Sequence, residues 1–438
     1  MAGTLIAGAA TADITPKGSQ FLFGYPHVER RSTGVHDPLL SSALYLADGR
    51  TELMFVADDI IFVPRDLAGR ARERIASATG VPASNIMLTA THTHSGPITV
   101  NYLSNEGDPA VPKADENYLR LLEDGIVNAA VAARQSAEPA CIGLATGDDT
   151  GVGTNRRDPS GPADHRAPVL AVRSAKTNEY IAVMLVCSMH PTVLHEDSAE
   201  ISGDFPASAR RYLHRGVLPA ACPVLHHTGP AGNQSPRHVV KANTFAEADR
   251  LGEILGRAVA RALEEARYVD DARLACLRDW VELPPKAFPT VKEAQARLQA
   301  AARRLEELRR QGAARQAVRT AECDWFGAEE AVTLARAAAD GKIAAARDAC
   351  SPAEIQAFRV GPWTFVGWPG ELFIEYALVV KAECPDTFVI SLANGELQGY
   401  IVTPEAAAEG GYEASNALFG PDAGDAILHK TLRMLKRA

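Results

Sequence analysis

The chain repeatedly places histidines directly after short apolar runs, and this arrangement restricts its fold more than any other feature of the sequence. The runs, each with the length and composition of a buried strand, lie at 53–57, 85–90 and 180–187. His92 and His94 follow the second run, and His190 follows the third. Because ligands of α/β proteins bind beyond the carboxyl ends of strands, the pattern predicts one site built from several strand ends.

The remaining patterns predict an α/β fold with a large mixed sheet flanked by helices. A helix is predicted at 65–78, between the first two strands, and another after Thr244, where Glu247 would complete a capping box. Further strands are predicted at 223–225, 363–367 and 387–392. Strands that alternate with helices in this way are typical of the α/β class.

The segment that follows residue 289 predicts an antiparallel helical hairpin. Thr290 and Glu293 form a capping box, and apolar residues then recur at alternating three- and four-residue steps. Gly312 ends this helix, and the same spacing resumes after it. Two helices joined by so short a turn are expected to pack side by side.

The hairpin divides the predicted domain into two parts. We expect one discontinuous α/β domain at 1–283 and 353–438, with the helical hairpin insertion at 284–352. A solvated spacer or dimer contact is the favoured role of the hairpin, so a homo-oligomer through it is expected. A lid over the site is the alternative.

Charge and hydropathy exclude two classes of partner. Lys and Arg number 45 against 54 Asp and Glu, a net charge of −9, and no basic run offers a surface for nucleic acid. The chain has no apolar stretch of membrane-spanning length and no leader pattern, so we expect no stable membrane insertion and a cytoplasmic location. The seven scattered cysteines predict buried thiols, since no C-x-x-C pair occurs.

The strand-end histidines point to metal chemistry. A single histidine on an apolar element is more often a core residue, but several at equivalent strand ends favour a ligand set. Two histidines and a carboxylate would hold Zn²⁺ and leave a coordination position for water, whose pKa the metal lowers toward neutrality. His92, His190 and Glu371 could make that site.

Several separated motifs resemble the catalytic domain of the neutral/alkaline non-lysosomal ceramidase family. They occur in the family's order and span roughly residues 7–267 and 358–421. The principal ones are ATHTHSGP at 90–97, HP at 190–191, GNQSP at 232–236, PGE at 369–371 and EGGY at 409–412. Supporting matches are GAATADITP at 8–16, GVH at 34–36 and NR at 155–156.

The resemblance implies a set of site residues. Zinc would be held by four residues, namely His92, His190, Glu371 and Tyr400. Ser235 matches the family's active-site serine, His94 its second histidine beside the metal, and Arg156 its substrate-facing arginine. For two of them a structural role stays open: Ser235 could only cap a helix, and Arg156 could only pair with Asp158 or Asp164.

These residues together predict a metal-dependent amidohydrolase that cleaves a linear amide C–N bond with metal-activated water. His94 would pass a proton to the leaving amine, because imidazole titrates near neutrality. Tyr400 and Arg156 would hold developing negative charge. Whether Ser235 acts as nucleophile or hydrogen-bonds the substrate stays open, and Asp204 is expected to orient a ligand imidazole.

The substrate expected from the sequence is a small or medium N-acyl compound. The long-chain ceramidases of the resembled family carry an export signal and a C-terminal β-domain, and neither pattern is recognised in this sequence. Two other functions stay open. The same zinc site could serve an esterase or lactonase, or the chain could be a non-catalytic metal-stabilised binding protein with the hairpin as its interaction surface.

Overall fold

The computed structural model describes residues 5–269 and 272–437. Residues 1–4, which belong to the stretch in which no leader pattern is expected, lie outside the described residues. The strands are β1 (Ile6–Asp13), β2 (Gly34–Val35), β3 (Leu40–Ala47), β4 (Glu52–Asp58), β5 (Ile86–Ala90), β6 (Glu138–Asp148), β7 (Thr154–Asn155), β8 (Arg166–Ser174), β9 (Tyr180–Cys187), β10 (Glu200–Ile201), β11 (Val224–Thr228), β12 (Gln234–Ser235), β13 (Arg267–Val269), β14 (Leu274–Val281), β15 (Ala353–Val360), β16 (Trp363–Gly367), β17 (Glu371–Leu372), β18 (Thr387–Ile390) and β19 (Tyr400–Ile401). The helices are α1 (Arg65–Thr79), α2 (Glu116–Gln135), α3 (Asp204–Gly216), α4 (Phe245–Glu265), α5 (Val291–Arg310), α6 (Arg315–Ala339), α7 (Ile343–Cys350), α8 (Ile374–Glu383), α9 (Pro404–Glu409), α10 (Tyr412–Asn416) and α11 (Ala423–Leu435).

A nine-stranded mixed sheet dominates the fold, which confirms the predicted class. Eight strands follow the order β11-β9-β8-β6-β1-β3-β4-β5, and β13 pairs with β6. The pairs β4–β5 and β9–β11 are parallel and the others antiparallel. A second sheet has the order β14-β15-β16-β18.

Side chains that alternate along each strand create separate cores on the two faces of the large sheet. On β3, Leu44 and Leu46 face a core shared with Phe358 and Phe365 of the second sheet. Tyr45 points to the opposite face, where α1 and α2 pack. This period of two is what a sheet buried on both faces requires. Helices α3 and α4 cover β8 and β9, and α8 and α11 cover the second sheet.

The carboxyl ends of β5, β11 and β18 meet at one place. The Thr228 hydroxyl, at the end of β11, donates a hydrogen bond to Thr91 O just beyond β5 at 2.7 Å. Ser391 N, just after β18, donates to Thr228 O at 2.8 Å. Strand β11 is at one end of the strand order, and β4 and β5 are at the other. They nevertheless lie against each other, because the large sheet bends back on itself.

The predicted elements agree with the observed ones apart from their ends and one cap. Thr244 begins α4 and its hydroxyl accepts from Glu247 N, but Glu247 Oε1 accepts from Lys241 N and not from the cap backbone. The predicted capping box at α4 is therefore only half formed. Glu247 Oε1 also pairs with Arg250 Nη2 at 2.6 Å, and this ion pair competes with the cap.

The predicted hairpin is present as α5 and α6. Thr290 and Glu293 form the complete capping box, and Gly312 occupies the left-handed region at φ +63° in the turn. Ala294 packs against Val332 near one end of the pair, and Leu305 and Leu308 against Ala321 near the other, so the helices are antiparallel.

The hairpin lies against the body of the protein. A Cβ at Gly327 of α6 would lie 3.0 Å from Tyr412 Cα, so the helix and the segment around Tyr412 pack closely. Among the described helices, none combines the length and apolarity needed to cross a bilayer.

Candidate metal and active site

The loop after β5 carries two of the predicted site histidines. His92 adopts a left-handed backbone conformation at φ 67°, which L-residues rarely occupy and which is most often maintained at functional sites. His92 N donates to Ile60 O at 2.9 Å, which fixes the turn. His94 is two residues further on, and its Nε2 lies 3.3 Å from His92 Nε2.

His190 reaches the same place from the end of β9. Its backbone N donates to Gln234 O, and its ring is held by the loop at 229–236. That loop packs directly on β17: Gly232 N donates to Leu372 O, and a Cβ on Gly232 would lie 2.8 Å from that oxygen. Only glycine permits this approach, so Gly232 allows His190 to lie beside Glu371.

Glu371 and Tyr400 are neighbours across a short parallel pair of strands. Glu371 of β17 is the register partner of Tyr400 of β19, which brings two side chains distant in sequence to one site. The Tyr400 ring lies 6.4 Å from the ring of His190. Both residues are buried, with 7% and 5% exposure.

The donor atoms of His92 and His190 converge on Glu371. His92 Nε2 lies 3.2 Å and His190 Nε2 2.9 Å from Glu371 Oε2. Each Nδ1 faces a backbone carbonyl, Ile61 O at 2.8 Å and Ala231 O at 2.6 Å. Since a carbonyl only accepts, each Nδ1 carries the ring proton and each Nε2 lone pair faces the carboxylate.

This arrangement fits a divalent metal ion. Two imidazole lone pairs and a carboxylate oxygen repel one another unless a cation or proton lies between them, and such a donor set binds metals. Burial and the Arg156 charge lower the pKa of His190 to about 4, so this ring is neutral at pH 7. The Nε2 or Nδ1 atoms of His92, His94 and His190 also lie within 4.8 Å of one another, so this buried triad could bind a metal.

The electrostatics of the cluster favour an ionised Glu371. Burial alone would raise the pKa of Glu371, but His92 and His190 outweigh it and hold that pKa well below its usual range. Burial, reinforced by the two neighbouring histidines, likewise holds the pKa of His94 well below its usual range. At pH 7 the cluster therefore contains an ionised Glu371 beside His94 and His190, whose lowered pKa values favour the neutral ring.

His94 is the most accessible of the three histidines. It is 9% exposed, and its Nδ1 has no hydrogen-bond partner among the described residues. Gly24, at φ +119°, lies against its ring, and a side chain there would collide with the imidazole. Tyr25 also contacts the ring, at a centroid distance of 5.3 Å.

Ser235 and Arg156 are brought together by a small antiparallel pair of strands. Ser235 of β12 is the register partner of Thr154 of β7, and Arg156 N donates to Asn233 O at 2.7 Å. The Ser235 hydroxyl accepts from Arg237 N at 3.3 Å, so it caps a short turn, as the structural alternative proposed. Among the described residues no histidine or carboxylate hydrogen-bonds this hydroxyl, and it still lines a cavity with His94.

Arg156 pairs with neither of the aspartates considered from the sequence. Its Nε donates to Glu413 Oε1 at 2.7 Å, and both side chains are about 5% exposed. The guanidinium also lies over the Tyr400 ring, 5.1 Å from its centroid. Burial raises the pKa of Tyr400 and the Arg156 charge opposes this, so the phenol is protonated at neutral pH.

Two cavities meet at this cluster. One, of about 540 Å³, is lined by His94, Ser235 and Arg156, and the other, of about 450 Å³, by His92, Glu371 and Glu330. They share five residues, namely Gly24, Pro26, His94, Tyr400 and Tyr412. Six of the seven predicted site residues line these cavities, and the seventh, His190, contacts Glu371 at 2.9 Å.

The structure differs from the sequence expectation at Asp204. Its carboxylate accepts hydrogen bonds from the backbone N–H groups of Val193, Leu194 and Phe205 at 3.0, 2.9 and 2.6 Å, and not from an imidazole. Asp204 therefore fixes the chain that leaves His190. A left-handed backbone at φ 58° turns its side chain back toward that segment.

Sequence reasoning missed Glu413 and the residues that α6 supplies. Glu413 follows the EGGY motif directly, which is the only sequence signal for it. Arg319, Cys323 and Phe326 line the larger cavity, and Glu330 lines the smaller one. Their pattern on the hairpin is that of an ordinary amphipathic helix, so nothing local marks them.

The fold and this cluster define a mixed α/β protein with a candidate metal site where its strand ends meet. The family model described as neutral/alkaline non-lysosomal ceramidase, N-terminal, matches residues 5–219. A neutral ceramidase from Mycobacterium tuberculosis is 26% identical over 237 residues, covering 49% of this chain and 36% of the relative. A neutral ceramidase from Pseudomonas aeruginosa is 26% identical over 318 residues, covering 65% and 47%.

The solved structure of the Pseudomonas aeruginosa neutral ceramidase has the same fold. It superimposes with a TM-score of 0.76 at 19% identity, over 98% of this chain and 74% of that one. Residues 5–219 thus match the neutral/alkaline non-lysosomal ceramidase family, to which the motifs already point, and both curated relatives are neutral ceramidases. The matched regions of this chain span between a third and a half of the length of these curated relatives.

Proposed function

We propose that the chain is a zinc-dependent amidohydrolase that cleaves the N-acyl bond of a small or medium substrate. One observation carries the proposal: His92 and His190 direct their Nε2 atoms at a single oxygen of Glu371, at 3.2 and 2.9 Å. His94, 3.3 Å from His92, is a third imidazole on the open side of the cluster. The match to the ceramidase family supports an amide as the bond cleaved.

His92, His190, Glu371 and Tyr400 would hold the ion. When bound, zinc supplies a Lewis acid that polarises the amide carbonyl and lowers the pKa of water. His94 would pass a proton to the leaving amine. Burial holds the pKa of this imidazole below its usual range, so the ring is neutral at pH 7 before the reaction.

The remaining site residues would bind and orient the amide. The phenol of Tyr400 and the guanidinium of Arg156 provide donors for the carbonyl oxygen as it gains negative charge. Ser235 can donate its hydroxyl proton to the substrate while its oxygen accepts from Arg237 N. A substrate contact is therefore the role we assign to Ser235.

We also propose the division into a hydrolase domain at 1–283 and 353–438 with a hairpin insertion at 284–352. In this proposal α6 covers the site, since Arg319, Phe326 and Glu330 line its cavities. A homo-oligomer through the hairpin stays a prediction. Sedimentation of the purified chain would test it.

The test of the function is amine release from a panel of amides, followed by mass spectrometry with and without a chelator. The panel runs from N-acetyl amino acids through medium-chain N-acyl amines to long-chain ceramides. We expect release from short or medium members, loss of release with the chelator, and recovery when Zn²⁺ is added back. Release from ceramides alone would contradict the substrate size, and chelator-resistant release would contradict the metal.

Two variants make the test specific. Glu371→Gln keeps the side-chain shape and removes the negative charge, so bound zinc and amine release should fall together. Glu264→Gln, on the exposed surface of α4, is the matched control and should retain both. Hydrolysis that persists in a zinc-free Glu371→Gln protein would refute the proposed role of the cluster.

A further inference from the structure

The cavity beside His94 is lined by positive charge without acidic residues. Its charged lining residues are Arg156, Arg237 and Arg319, and no Asp or Glu is among its lining residues in the described ranges. His195 also lines it but is neutral, because burial lowers its pKa to about 3. The cavity is open to solvent, so a ligand could enter it from outside. The charge of its wall therefore limits what that ligand can be.

Two of the arginines form ion pairs with glutamates that do not line the cavity. Arg319 Nη1 donates to Glu196 Oε1 at 2.8 Å and to Glu322 Oε2 at 2.6 Å. Arg156 Nε donates to Glu413 Oε1 at 2.7 Å. None of these carboxylates lines the cavity, so they balance the two arginines without presenting negative charge to it.

Arg237 has no such partner. Its Nη1 lies 3.4 Å from Thr320 Oγ1, at the long end of the hydrogen-bond range, and its Nη2 lies 3.3 Å from Cys323 Sγ. Neither partner is a carboxylate. Among the described residues no carboxylate lies within 4.0 Å of Arg237. Asp324 and Glu413 interact with its charge only at longer range.

Arg156, which lines the same cavity, carries a second donor without an acceptor in the described part of the chain. Arg156 Nη2 has no hydrogen-bond partner among the described residues, although the side chain is only 5% exposed. A buried donor without an acceptor is unfavourable unless a ligand or water satisfies it. Arg156 and Arg237 thus offer unused N–H groups, and the arginine fork suits planar or tetrahedral oxyanions.

We propose that the substrate of this site carries an anionic group, a carboxylate or a phosphate, within a few atoms of the scissile amide, and that Arg237 binds it. The inference rests on the proposed amidohydrolase function and specifies its substrate class, N-acylated amino acids or N-acylated amino-alcohol phosphates. Arg237 is then a specificity-determining residue contributed by the turn that follows Ser235. Thr320 and Cys323 of α6 hold its side chain in place.

The test compares three amides with one medium-length acyl chain: N-acylglycine, N-acylethanolamine phosphate and neutral N-acylethanolamine. For the wild-type protein loaded with Zn²⁺, we expect kcat/KM for one anionic amide to exceed that of the neutral amide by roughly 10- to 100-fold. The better anionic substrate identifies which oxyanion the cavity takes. Arg237→Gln should abolish the preference mainly through KM, while the neutral amide changes by less than about two-fold.

Two further variants distinguish a specific effect of Arg237 from a general loss of folded protein. Arg237→Lys keeps the charge and should retain part of the preference, because it loses only the fork geometry. Arg120→Gln, on the exposed surface of α2, is the matched control and should retain all of it. Equal loss on anionic and neutral amides in both Arg237 variants would overturn the assigned role of Arg237.

The results distinguish a failure of this inference from a failure of the proposed amidohydrolase function. If the neutral amide is cleaved as well as the anionic ones, the inference fails and the amidohydrolase proposal stands. If none of the three is cleaved and the wider panel of amides is also inert, the proposed function fails and the inference falls with it. If Arg237→Gln still prefers the anionic amides over the neutral one, another residue binds the anionic group and the role assigned to Arg237 is wrong.

Discussion

Glu413 is expected to be the most sensitive buried charge near the site. Its carboxylate accepts from Arg156 Nε at 2.7 Å and from Arg157 Nη1 at 3.1 Å. Glu413 and Arg156 are about 5% exposed, whereas Arg157 is 21% exposed. Glu413→Gln would keep the side-chain shape and leave the Arg156 guanidinium buried without its counter-ion.

The magnitude follows from this burial. Removing one partner of a buried ion pair typically costs about 3–5 kcal/mol, because the remaining charge stays desolvated. Arg157 is partly exposed, so water can replace its lost contact and we assign it little of the effect. We therefore expect the free energy of unfolding to fall by about 3–5 kcal/mol.

A double-mutant cycle in urea measures the pair itself. Arg156→Met removes the buried charge, so the double variant should lose less stability than the sum of the two single variants, with a coupling energy of up to about 3 kcal/mol. A decrease below about 1 kcal/mol in Glu413→Gln, or strictly additive effects, would refute the reasoning. Arg120→Gln, on the exposed surface, is the matched control and should change stability little.

The same pair predicts a pH dependence. Burial alone would raise the pKa of Glu413, but Arg156 and Arg157 outweigh it and hold that pKa below its usual range. A depressed carboxylate pKa contributes stability that is fully present above the unfolded pKa and is lost as pH falls through the folded pKa. The difference between wild type and Glu413→Gln should thus be constant near neutrality and shrink in acid.

Three further predictions concern the metal ligand, the second cavity and the hairpin. Glu371→Ala should remove bound zinc, measured by metal analysis, together with amide hydrolysis; full zinc occupancy in this variant would exclude Glu371 as a ligand. Burial raises the pKa of Glu330 to about 7, so ionising it destabilises the fold increasingly as pH rises from its unfolded pKa toward 7. Glu330→Gln should therefore gain thermal stability relative to wild type above pH 7 and not at pH 4, and a pH-independent difference would contradict this. Thr290→Ala removes the capping box of α5 and should lower stability by about 1 kcal/mol in urea unfolding, whereas no change would show that the cap is dispensable.

Much of the architecture could be predicted because it depends on local patterns. The strands at 180–187 and 363–367 have the bounds that their apolar runs predict, since strand length and composition are properties of the segment itself. The cap of α5 was predictable for the same reason, because both of its hydrogen bonds lie within four residues. The half-formed cap of α4 was not, because Glu247 is taken by Lys241 N and Arg250.

The sequence by itself determined which side chains stand at strand ends, and motif order extended that set to Ser235, Arg156 and Tyr400. It did not determine their distances, because the convergence of His92, His190 and Glu371 depends on a sheet that bends back on itself.

The tertiary structure alone decided how the cavity walls are charged. Arg237 meets Thr320 and Cys323 more than 80 residues further along the chain, and Arg156 meets Glu413 at a separation of 257 residues. No local periodicity encodes such pairs. They form only where packing brings distant segments together and burial makes a charge depend on its partner.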